Sequence, residues 1–454
     1  MPHDALKTFA TSVACTLSEA GHRAVFAGGC VRDLVLGKTP KDFDVATSAT
    51  PQEVIKLFKR TVPVGVAFGV VRVVGPRVTR DSAPDAKPDR ELPPLEVEVA
   101  TFRSDGQYTD GRRPDSVQFT NEVEDVKRRD FTINGLLFDP LKGELLDYVG
   151  GQEDLKAKKL RAIGDPQQRF AEDRLRMLRA VRFAAALEFE IDPLTLTEIK
   201  RAAPAITEVS PERIRDELVK MLTGPDPKLA LELLKKTRLL KEILPEIEAL
   251  QGVEQPPEFH PEGDVWTHTL MLLGHLHNAP MTLALGCLLH DVGKPKTFQN
   301  LDRIRFNEHE KVGAEMTEQI LRRLKFSNDE IERVTELVRQ HMAFKDVQNM
   351  RTSTLKRFLR MPHFEEHLEL HRIDCLSSNG RLENHEFCTQ QLKTLSAEVL
   401  RPEPLVNGRD LMTLGVAPGP LLGKLLKEIE DKQLEGVLNT KEDALNFARE
   451  QLKL

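Results

Sequence analysis

Two aspartates two positions apart, Asp42 and Asp44, follow a Gly-Gly pair by about fourteen residues. Mg²⁺ prefers oxygen ligands and usually takes one or two carboxylates together with substrate phosphates. Residues i and i+2 of a strand face the same side, so KDFDVAT predicts a strand with both carboxylates on one side. A third carboxylate would suit a two-metal site for phosphoryl transfer. Glu98 in LEVEVATF is the candidate, and Glu96 is the alternative.

The glycine pair itself, Gly28 and Gly29, predicts a turn that lets backbone N–H groups approach a triphosphate. The helix that follows offers its positive N-terminus to the same group. Arg32 lies three residues beyond the pair and can bind phosphate as a bidentate donor. A bare DxD pattern is usually a solvated strand edge, but the turn, the arginine and the spacing together favour a site for a nucleotide and a metal.

Four segments, taken together, resemble one family. They are GGCVRDLVLGKTPKDFDVAT, EVATFRSDGQYTDGRRPDSVQF, RRDFTINGLLFDP and EDRLRMLRAVRF. In this order they resemble the class II tRNA nucleotidyltransferases and bacterial poly(A) polymerases, over roughly residues 24–225. The resemblance implies an α+β chain with a polymerase-β-type nucleotidyltransferase head that has a small mixed sheet, followed by all-α neck, body and tail domains. It also implies template-independent addition of CCA to the 3′ end of tRNA from CTP and ATP, with Mg²⁺ in the head and release of pyrophosphate.

Base selection without a template needs a donor beside an acceptor, and Asp173 and Arg176 supply both. Three residues apart on a predicted helix, they are expected to share one face. Asp173 can accept from the exocyclic amine of cytosine or adenine, while Arg176 donates to the adjacent ring nitrogen. Uracil and guanine present the reverse pattern and would leave buried groups unpaired. The resemblance gives the pair this role, and Arg179 and Arg182 continue the basic stripe toward the triphosphate or the primer end.

The segment RRDFTIN supplies three more candidates through the resemblance. It implies that Arg129 contacts phosphate and that Asp130 and Asn134 recognise the ribose 2′-hydroxyl. From the residues alone, Asn and Asp could equally cap turns. The charged loop at 103–116 resembles a flexible loop that CC-only members of the family lack, so its presence favours full CCA or A addition.

A second group of residues points to metal chemistry elsewhere in the chain. Residues 258–385 hold 11 of the 13 histidines. Histidine and carboxylate ligands together suit a divalent metal with open positions for phosphate. The pattern resembles the HD phosphohydrolase superfamily, which implies a metal such as Mg²⁺, Mn²⁺ or Ni²⁺ and a phosphatase or cyclic phosphodiesterase activity on RNA ends. The resemblance gives the first metal to His268, His290, Asp291 and Asp374, and a second metal or a phosphate to His309 and His341. A structural relic that binds no metal is the alternative.

These sites must be carried by several domains, because 454 residues exceed one hydrophobic core. Patterns of short strands and helices alternate over 1–150, and helical patterns alone follow. We predict a head at 1–150, a neck that binds nucleotide and RNA at 151–225, an HD-type body at 226–385, and a tail at 386–454. A Gly-rich turn in the tail, within LVNGRDLMTLGVAPGPLLGKLLKEI, is expected either to hold the tRNA elbow, as the resemblance implies, or simply to cap a packed helix.

The charge and the cysteine content limit which partners and which cellular compartment the protein can have. The net charge is −6, so any RNA contact needs a local basic patch. Residues 127–182 provide one, with 13 Lys or Arg against 9 Asp or Glu. No apolar run approaches the roughly 20 residues of a membrane span. Five scattered cysteines without a CxxC pair and the lack of a signal-peptide pattern predict a cytoplasmic protein.

Two kinds of alternative function stay open at this stage. Within the same fold, the chain could be a poly(A) polymerase, or an enzyme that adds only CC or only A. From a different class, it could be an HD phosphohydrolase with an inactive head. The oligomeric state is left open.

Overall fold

In a computed structural model the chain forms two compact units, Met1–Pro245 and Glu246–Leu454. The structure describes residues 3–77, 94–106, 116–258, 260–300 and 302–452. The sequence also predicts a Pro-rich surface insert at 76–94. Most of this insert and the tip of the loop predicted at 103–116 lie outside the described ranges. Within the described ranges, no helix is both long enough and apolar enough to cross a membrane.

The described part of the first unit contains a seven-stranded mixed sheet and two short two-stranded ribbons. Its strands are β1 (Ala24–Ala27), β2 (Asp44–Thr47), β3 (Thr61–Gly65), β4 (Val70–Arg77), β5 (Pro94–Thr101), β6 (Arg103–Asp105), β7 (Val117–Phe119), β8 (Leu137–Asp139), β9 (Glu144–Leu146), β10 (Lys159–Leu160) and β11 (Glu190–Ile191). The large sheet has the order β3-β4-β5-β2-β1-β8-β9, and β6 pairs with β7 and β10 with β11. Only β2 and β5 run parallel within the large sheet.

The helices of the first unit flank this sheet and then continue alone. They are α1 (His3–Glu19), α2 (Gly29–Val35), α3 (Pro51–Leu57), α4 (Glu122–Lys127), α5 (Gly151–Lys156), α6 (Pro166–Glu172), α7 (Leu175–Leu187), α8 (Pro193–Ala202), α9 (Pro211–Leu222), α10 (Pro227–Lys236) and α11 (Leu239–Ile243), with α12 (Pro245–Glu248) at the junction of the units. A 3-10 turn, Thr132–Asn134, lies between α4 and β8.

Side-chain alternation explains how the sheet presents its charged groups. In β5, Leu95, Val97 and Val99 are buried, whereas Glu96 and Glu98 between them are exposed. All four residues of β1 are buried, as expected for a strand whose two faces are both covered. The two glutamates therefore share one face of β5, and the apolar residues pack on the other.

The second unit is almost entirely helical. Its elements are α13 (Val265–Gly274), α14 (Met281–Leu289), α15 (Lys294–Thr297), β12 (Phe298–Asn300), β13 (Ile304–Phe306), α16 (His309–Arg323), α17 (Asn328–Gln340), α18 (Thr352–Leu359), α19 (Phe364–Leu376), α20 (Glu383–Thr394), α21 (Ala397–Leu400), α22 (Gly408–Thr413), α23 (Pro420–Leu434) and α24 (Lys441–Leu452). A cluster around Leu411, Leu425 and Ile429 forms an apolar core of its own in the C-terminal part.

The predicted α+β fold class is confirmed, with two corrections to the secondary structure. The region after residue 150 is not purely helical, since β10–β11 and β12–β13 form two short ribbons there. These strands have two or three residues, too few for a period-2 pattern to be recognised. The second correction is that the single helix expected over FAEDRLRMLRAVRFAAALEF is two helices, α6 and α7.

Candidate functional site

Strand register assembles the acidic edge of the head. β2 is antiparallel to β1, with Ala27 opposite Asp44, and parallel to β5, with Asp44 opposite Glu98. Gly28 follows directly after β1, and its positive φ of 76° favours glycine. A Cβ at Gly28 would also lie 3.2 Å from Nη1 of Arg129. The glycine turn, Asp44, Glu98 and Arg129 are therefore neighbours.

The position of Asp42 differs from the prediction. β2 begins at Asp44, so Asp42 lies before the strand and strand alternation does not orient its carboxylate. Asp42 is nevertheless an electrostatic neighbour of Asp44. Burial, together with the charges of Asp42 and Glu98, raises the pKa of Asp44 to about 6, while Arg129 opposes the rise. Carboxylates whose ionised forms destabilise one another are suited to share a divalent cation.

Glu98 and Glu96 are both held by one arginine. Arg72, on the adjacent strand β4, lies 3.0 Å from Glu98 and 3.2 Å from Glu96. Only Glu98 is in register with Asp44, which favours Glu98 over Glu96 as the third acidic group. The three head carboxylates do not form a set whose ligand atoms all lie within 4.8 Å, among the residues that the structure describes.

A polar network connects the glycine turn to α7. Arg32 donates to the side-chain oxygen of Asn134 (2.9 Å), and the Asn134 amide donates to Asp130 (3.1 Å). Asp130 in turn accepts two hydrogen bonds from Arg179, at 2.8 and 2.6 Å. Burial alone would raise the pKa of Asp130, but the Arg179 guanidinium holds it below the usual value. The network brings together four residues that the sequence analysis assigned separately to the phosphates, to the ribose and to the triphosphate or primer end.

Arg129 reaches the same edge while its guanidinium is paired. It lies 2.9 Å from Asp125, a buried residue of α4 that also binds Arg128 at 2.6 Å. Burial disfavours the charged form of Asp125, yet the two arginines lower its pKa. Arg128 also lies 3.8 Å from Asp105, so two carboxylates face the two arginines, and Arg129 is the cation that lies beside Gly28.

The arrangement of the base-reading pair also differs from the prediction. Asp173 lies in the extended link between α6 and α7, so it does not share a helix face with Arg176. Its carboxylate accepts from the backbone N–H of Leu175 (3.1 Å) and from Arg213 (2.9 Å). Arg176 is buried and binds Glu172 at 2.6 Å. The sequence did not reveal the helix break because no Gly or Pro marks it.

The ring of Phe183 lies close to three cationic side chains of the site. The guanidinium carbons of Arg32, Arg179 and Arg182 lie 5.4, 5.2 and 4.1 Å from the centre of its ring. Such distances permit cation–π attraction. Arg182 also forms a 2.6 Å ion pair with Glu217 of α9, whose side chain is buried. Phe183 thus stabilises a basic surface next to the polar network.

A cluster of histidines and carboxylates lies in the second unit. Among the residues that the structure describes, three sets have ligand atoms that all lie within 4.8 Å of one another, and the first two share His268: His260, Glu262 and His268; His268, His290 and Asp374; and Asp291, His309 and His341. Nε2 of His268 is 3.0 Å from Asp374, and its Nδ1 is 2.8 Å from Glu262. Burial opposes protonation of His268, but Asp374 and Glu262 raise its pKa to about 9.

Asp291 belongs to the third set and also contacts a histidine of the second. One carboxylate oxygen is 3.2 Å from Nε2 of His290, and the other is 3.5 Å from Nε2 of His309. Burial would raise the pKa of Asp291, but His290 and Lys294 hold it well below the usual value. Burial lowers the pKa of His341 to about 3, so this imidazole is neutral. An ionised carboxylate and neutral imidazoles are the forms that bind metals.

Backbone carbonyls fix the orientation of three of these histidines. The Nδ1 atoms of His290, His309 and His341 each lie within hydrogen-bond distance of a carbonyl three residues earlier, at 3.0, 2.9 and 2.6 Å. A carbonyl can only accept, so Nδ1 carries the proton and Nε2 is free to bind a metal. Among the described residues, buried Glu262 Oε2 has no hydrogen-bond partner, whereas Asp291 Oδ2 lies 2.7 Å from Nζ of Lys294. This donor set fits a divalent metal.

Three family models and the curated relatives identify the family to which this chain belongs. The "Poly A polymerase head domain" family matches residues 24–161, "Probable RNA and SrmB- binding site of polymerase A" matches 188–251, and "tRNA nucleotidyltransferase domain 2 putative" matches 309–448. The CCA-adding enzyme of Levilactobacillus brevis is 34% identical over 95% of this chain and 94% of its own. The chain belongs to the CCA-adding enzyme family.

Other relatives of this CCA-adding family member agree over the full length. The enzyme of Enterococcus faecalis is also 34% identical, covering 96% of this chain and 94% of its own. Among solved structures, the Bacillus stearothermophilus CCA-adding enzyme in complex with CTP has a TM-score of 0.72 at 26% identity, with 98% of each chain covered. The predicted membership of the class II nucleotidyltransferase and poly(A) polymerase family is thereby confirmed. The four domain boundaries and the individual residue roles remain predictions.

In this CCA-adding family member, the sequence alone does not identify several residues that contribute to the two sites. Phe183, Arg213 and Glu217 lie within helical segments, where nothing distinguishes them from ordinary packing or surface residues. Glu262 precedes α13 in a segment without regular structure, so no periodicity predicts that it faces His268. Such contacts are long-range and depend on how helices pack, which spacing along the chain does not encode.

Proposed function

We propose that the protein adds CMP and AMP, without a template, to the 3′ end of tRNA to complete CCA. The observation that carries this proposal is the register of β1, β2 and β5, which places Asp44 beside Glu98 and next to the Gly28 turn. Relatives named CCA-adding enzymes cover nearly the whole chain and support the same activity. Substrates would be CTP, ATP and tRNA, and pyrophosphate the second product.

Asp42 and Asp44 would hold Mg²⁺, with Glu98 as the third acidic group. Bound Mg²⁺ would supply charge stabilisation at the reacting phosphate and lower the pKa of the attacking hydroxyl. The turn at Gly28 and Gly29 would bind the triphosphate through backbone N–H groups, with Arg32 and Arg129 as cationic partners.

The rest of the network would select and hold the nucleotide. Asn134 and Asp130 would bind the ribose, and Asp173 with Arg176 would read the base edge. Arg179 and Arg182 would contribute positive charge toward the triphosphate or the primer end. Asp173 and Arg176 already have protein partners, so base reading would use remaining acceptor and donor capacity or exchange one of these contacts.

A nucleotide-dependence assay tests this activity. Purified protein is incubated with tRNA ending before CCA and with CTP, ATP or both, and the products are read by end sequencing. We expect CC with CTP alone and CCA with both nucleotides. Replacing Asp42 and Asp44 by Ala should abolish addition. Extension by A alone on many RNAs would indicate a poly(A) polymerase, whereas CC as the only product would indicate a partial enzyme.

We further propose a second, metal-dependent phosphohydrolase centre in the second unit. The specific observation is that Nε2 atoms of three histidines, fixed by backbone carbonyls, converge on the ionised Asp291. His268, His290, Asp291 and Asp374 would hold one divalent metal such as Mg²⁺, Mn²⁺ or Ni²⁺. His309 and His341, which face the other carboxylate oxygen of Asp291, would hold a second metal or a phosphate. Phosphorylated or cyclic-phosphate RNA ends are the substrates proposed.

The two centres are tested by opposite variants. Replacing Asp291 by Ala should remove phosphatase or cyclic phosphodiesterase activity and bound transition metal, while CCA addition continues. Replacing Asp42 and Asp44 should have the reverse effect. CCA addition that survives in the head variant would contradict the head assignment and favour a phosphohydrolase with an inactive head. Unchanged metal content in the Asp291 variant would contradict the second centre.

The remaining proposals concern the tail and the cellular compartment. The Gly-rich turns around α22 and α23 would contact the tRNA elbow by shape, although the same turns also cap packed helices. Deletion of 386–454 should weaken tRNA binding more than nucleotide binding if the first role holds. We propose a cytoplasmic location, which fractionation of cells expressing the tagged protein would test.

A further inference from the structure

A short β-hairpin beside the histidine cluster exposes an aromatic ring. Its strands β12 and β13 are antiparallel, with Phe298 opposite Phe306, and the two ring centres lie 5.8 Å apart. Phe298 is 41% exposed, and among the phenylalanines that the structure describes only Phe119, on β7, is exposed as well. Phenylalanine is one of the residue types most often buried, so an exposed ring is informative where polar groups of a site lie next to it.

The second ring of the hairpin connects this surface to the proposed metal ligands. The ring centre of Phe306 is 6.4 Å from that of His309 and 5.3 Å from Nζ of Lys294. Lys294 in turn binds Asp291 at 2.7 Å, and Nδ1 of His309 donates to the backbone carbonyl of Phe306 at 2.9 Å. A nucleotide whose phosphate binds the cluster can therefore bring its own base, or that of its neighbour, to Phe298.

The hairpin and the short helix before it are basic. Residues 294–306 carry four Lys or Arg and one Asp, in a chain whose net charge is −6. The one acid, Asp302, pairs with Arg305 at 2.7 Å, while the side chains of Lys296 and Arg303 are exposed. Proteins bind single-stranded nucleic acid with this combination, in which cations contact the phosphates and an aromatic ring stacks on a base.

We propose that the β12–β13 hairpin binds the 3′ end of a single-stranded RNA, with Phe298 stacked on a terminal base and Arg303 in contact with a backbone phosphate. The terminal phosphate or cyclic phosphate would lie at the histidine cluster. This inference rests on the proposed phosphohydrolase centre and deepens it, because it assigns the residues that recognise the nucleotide to which the phosphate is attached.

The proposal also distinguishes between classes of phosphate ester. A base inside a duplex is already stacked on its neighbours and cannot offer its face to a side chain, whereas an unpaired end can. A phosphate ester without a base loses the contact with Phe298 altogether. Unpaired RNA ends should therefore bind more tightly than paired ends or small phosphate esters.

The test measures RNA binding by the full-length protein in EDTA, so that the readout depends neither on a metal nor on turnover. The probe is a short single-stranded RNA with a 3′-phosphate and with 2-aminopurine as its last base, whose fluorescence falls when a ring stacks on it. Phe298→Leu keeps an apolar side chain but removes the ring, and Phe298→Trp keeps a ring. Phe119→Leu is the matched control, because it makes the same substitution at an exposed phenylalanine of the β6–β7 ribbon in the first unit.

We expect the wild type and Phe298→Trp to quench the probe, and Phe119→Leu to match the wild type. Phe298→Leu should lose most of the quenching and bind about tenfold more weakly, as expected for one lost base–aromatic stack. Arg303→Gln should keep the quenching at saturation but lower the slope of log Kd against log salt by about 0.7, since one phosphate contact is lost. A complementary strand annealed over the 3′ end should prevent quenching by the wild type.

Two results would overturn the inference. The first is quenching by folded Phe298→Leu that equals quenching by the wild type; thermal unfolding shows whether the variant is folded, and Phe298→Met decides if it is not. The second is an equal loss of quenching in Phe119→Leu, which would mean that the base binds to the first unit. A wild type that quenches the probe but hydrolyses no RNA phosphate with any added metal would instead contradict the proposed phosphohydrolase centre, so the two failures are distinguishable.

Discussion

Asp44 shows the cost of concentrating negative charge at a functional site. Its pKa of about 6 lies above the ordinary 3.8 because the carboxylate is partly buried and faces Asp42 and Glu98. Below pH 4 the group is protonated in both folded and unfolded chains, and above pH 6 it is ionised in both. Between these values the folded state binds more protons, so stability falls as pH rises.

We therefore predict that Asp44→Asn stabilises the metal-free protein while abolishing nucleotide addition. The gain should be about 1–2 kcal/mol at pH 7.5 and should vanish near pH 4, where the wild-type carboxyl is already neutral. Urea unfolding in EDTA at both pH values measures it. A variant that is less stable than the wild type at pH 7.5 would mean that Asp44 is held by favourable contacts instead.

The choice between Glu98 and Glu96 makes a second prediction. Both contact Arg72, but only Glu98 pairs in register with Asp44. Glu98→Ala should lower kcat for nucleotide addition at least 100-fold, whereas Glu96→Ala should lower it less than threefold, since a catalytic acidic group contributes ~3 kcal/mol or more to the barrier. Steady-state kinetics at saturating CTP compares them. Equal losses would show that both act only through Arg72.

At the scale of elements, the sequence predicts those strands and helices that a local pattern of apolar residues determines. β1, β2, β4 and β5 were each recognisable from short apolar runs or alternation. Asp42 fell outside its strand and Asp173 outside its helix, because element boundaries depend on tertiary contacts such as the Arg213 ion pair. The pairing of β2 with the distant β5, which brings Glu98 to Asp44, is a long-range choice that the segment patterns left undefined.

The packing of α15 against α16 carries a prediction about the histidine cluster. A Cβ at Gly293 would lie 2.2 Å from the carbonyl oxygen of His309 and 2.7 Å from the backbone nitrogen of Gly313. Both obstructing atoms belong to backbone, so α16 must move and take His309 with it. Gly293→Ala should destabilise the second unit by ~2 kcal/mol or more and reduce its bound transition metal.

The control for this change is Gly423→Ala in α23. No atom lies within 4 Å of a Cβ placed there, and the residue is inside a helix, so stability should rise by ~0.5–1 kcal/mol. Thermal unfolding and metal analysis of both variants measure the difference. A Gly293→Ala protein with full stability and metal content would contradict the proposed dependence of His309 on this close approach.

At the scale of the whole molecule, a net charge of −6 must be reconciled with binding of a polyanion. The local excess of cations at 127–182 would provide the attraction, whereas the rest of the chain is acidic. Lys142 and Lys156 belong to this patch and are exposed. Affinity for tRNA that depends on such a patch should fall steeply with salt, because each neutralised phosphate releases counterions.

We predict that the double variant Lys142→Glu/Lys156→Glu binds tRNA more weakly and that its tRNA affinity depends less on salt. The slope of log Kd against log salt should decrease by about 1–2, since two phosphate contacts are lost. Lys7→Glu, an exposed charge reversal on α1 and outside the patch, should leave the slope within error of the wild type. KM for CTP on a saturating tRNA should be the same in the double variant and in Lys7→Glu as in the wild type. Equal effects of the Lys7 and patch variants would mean that net charge, and not its distribution, controls tRNA binding.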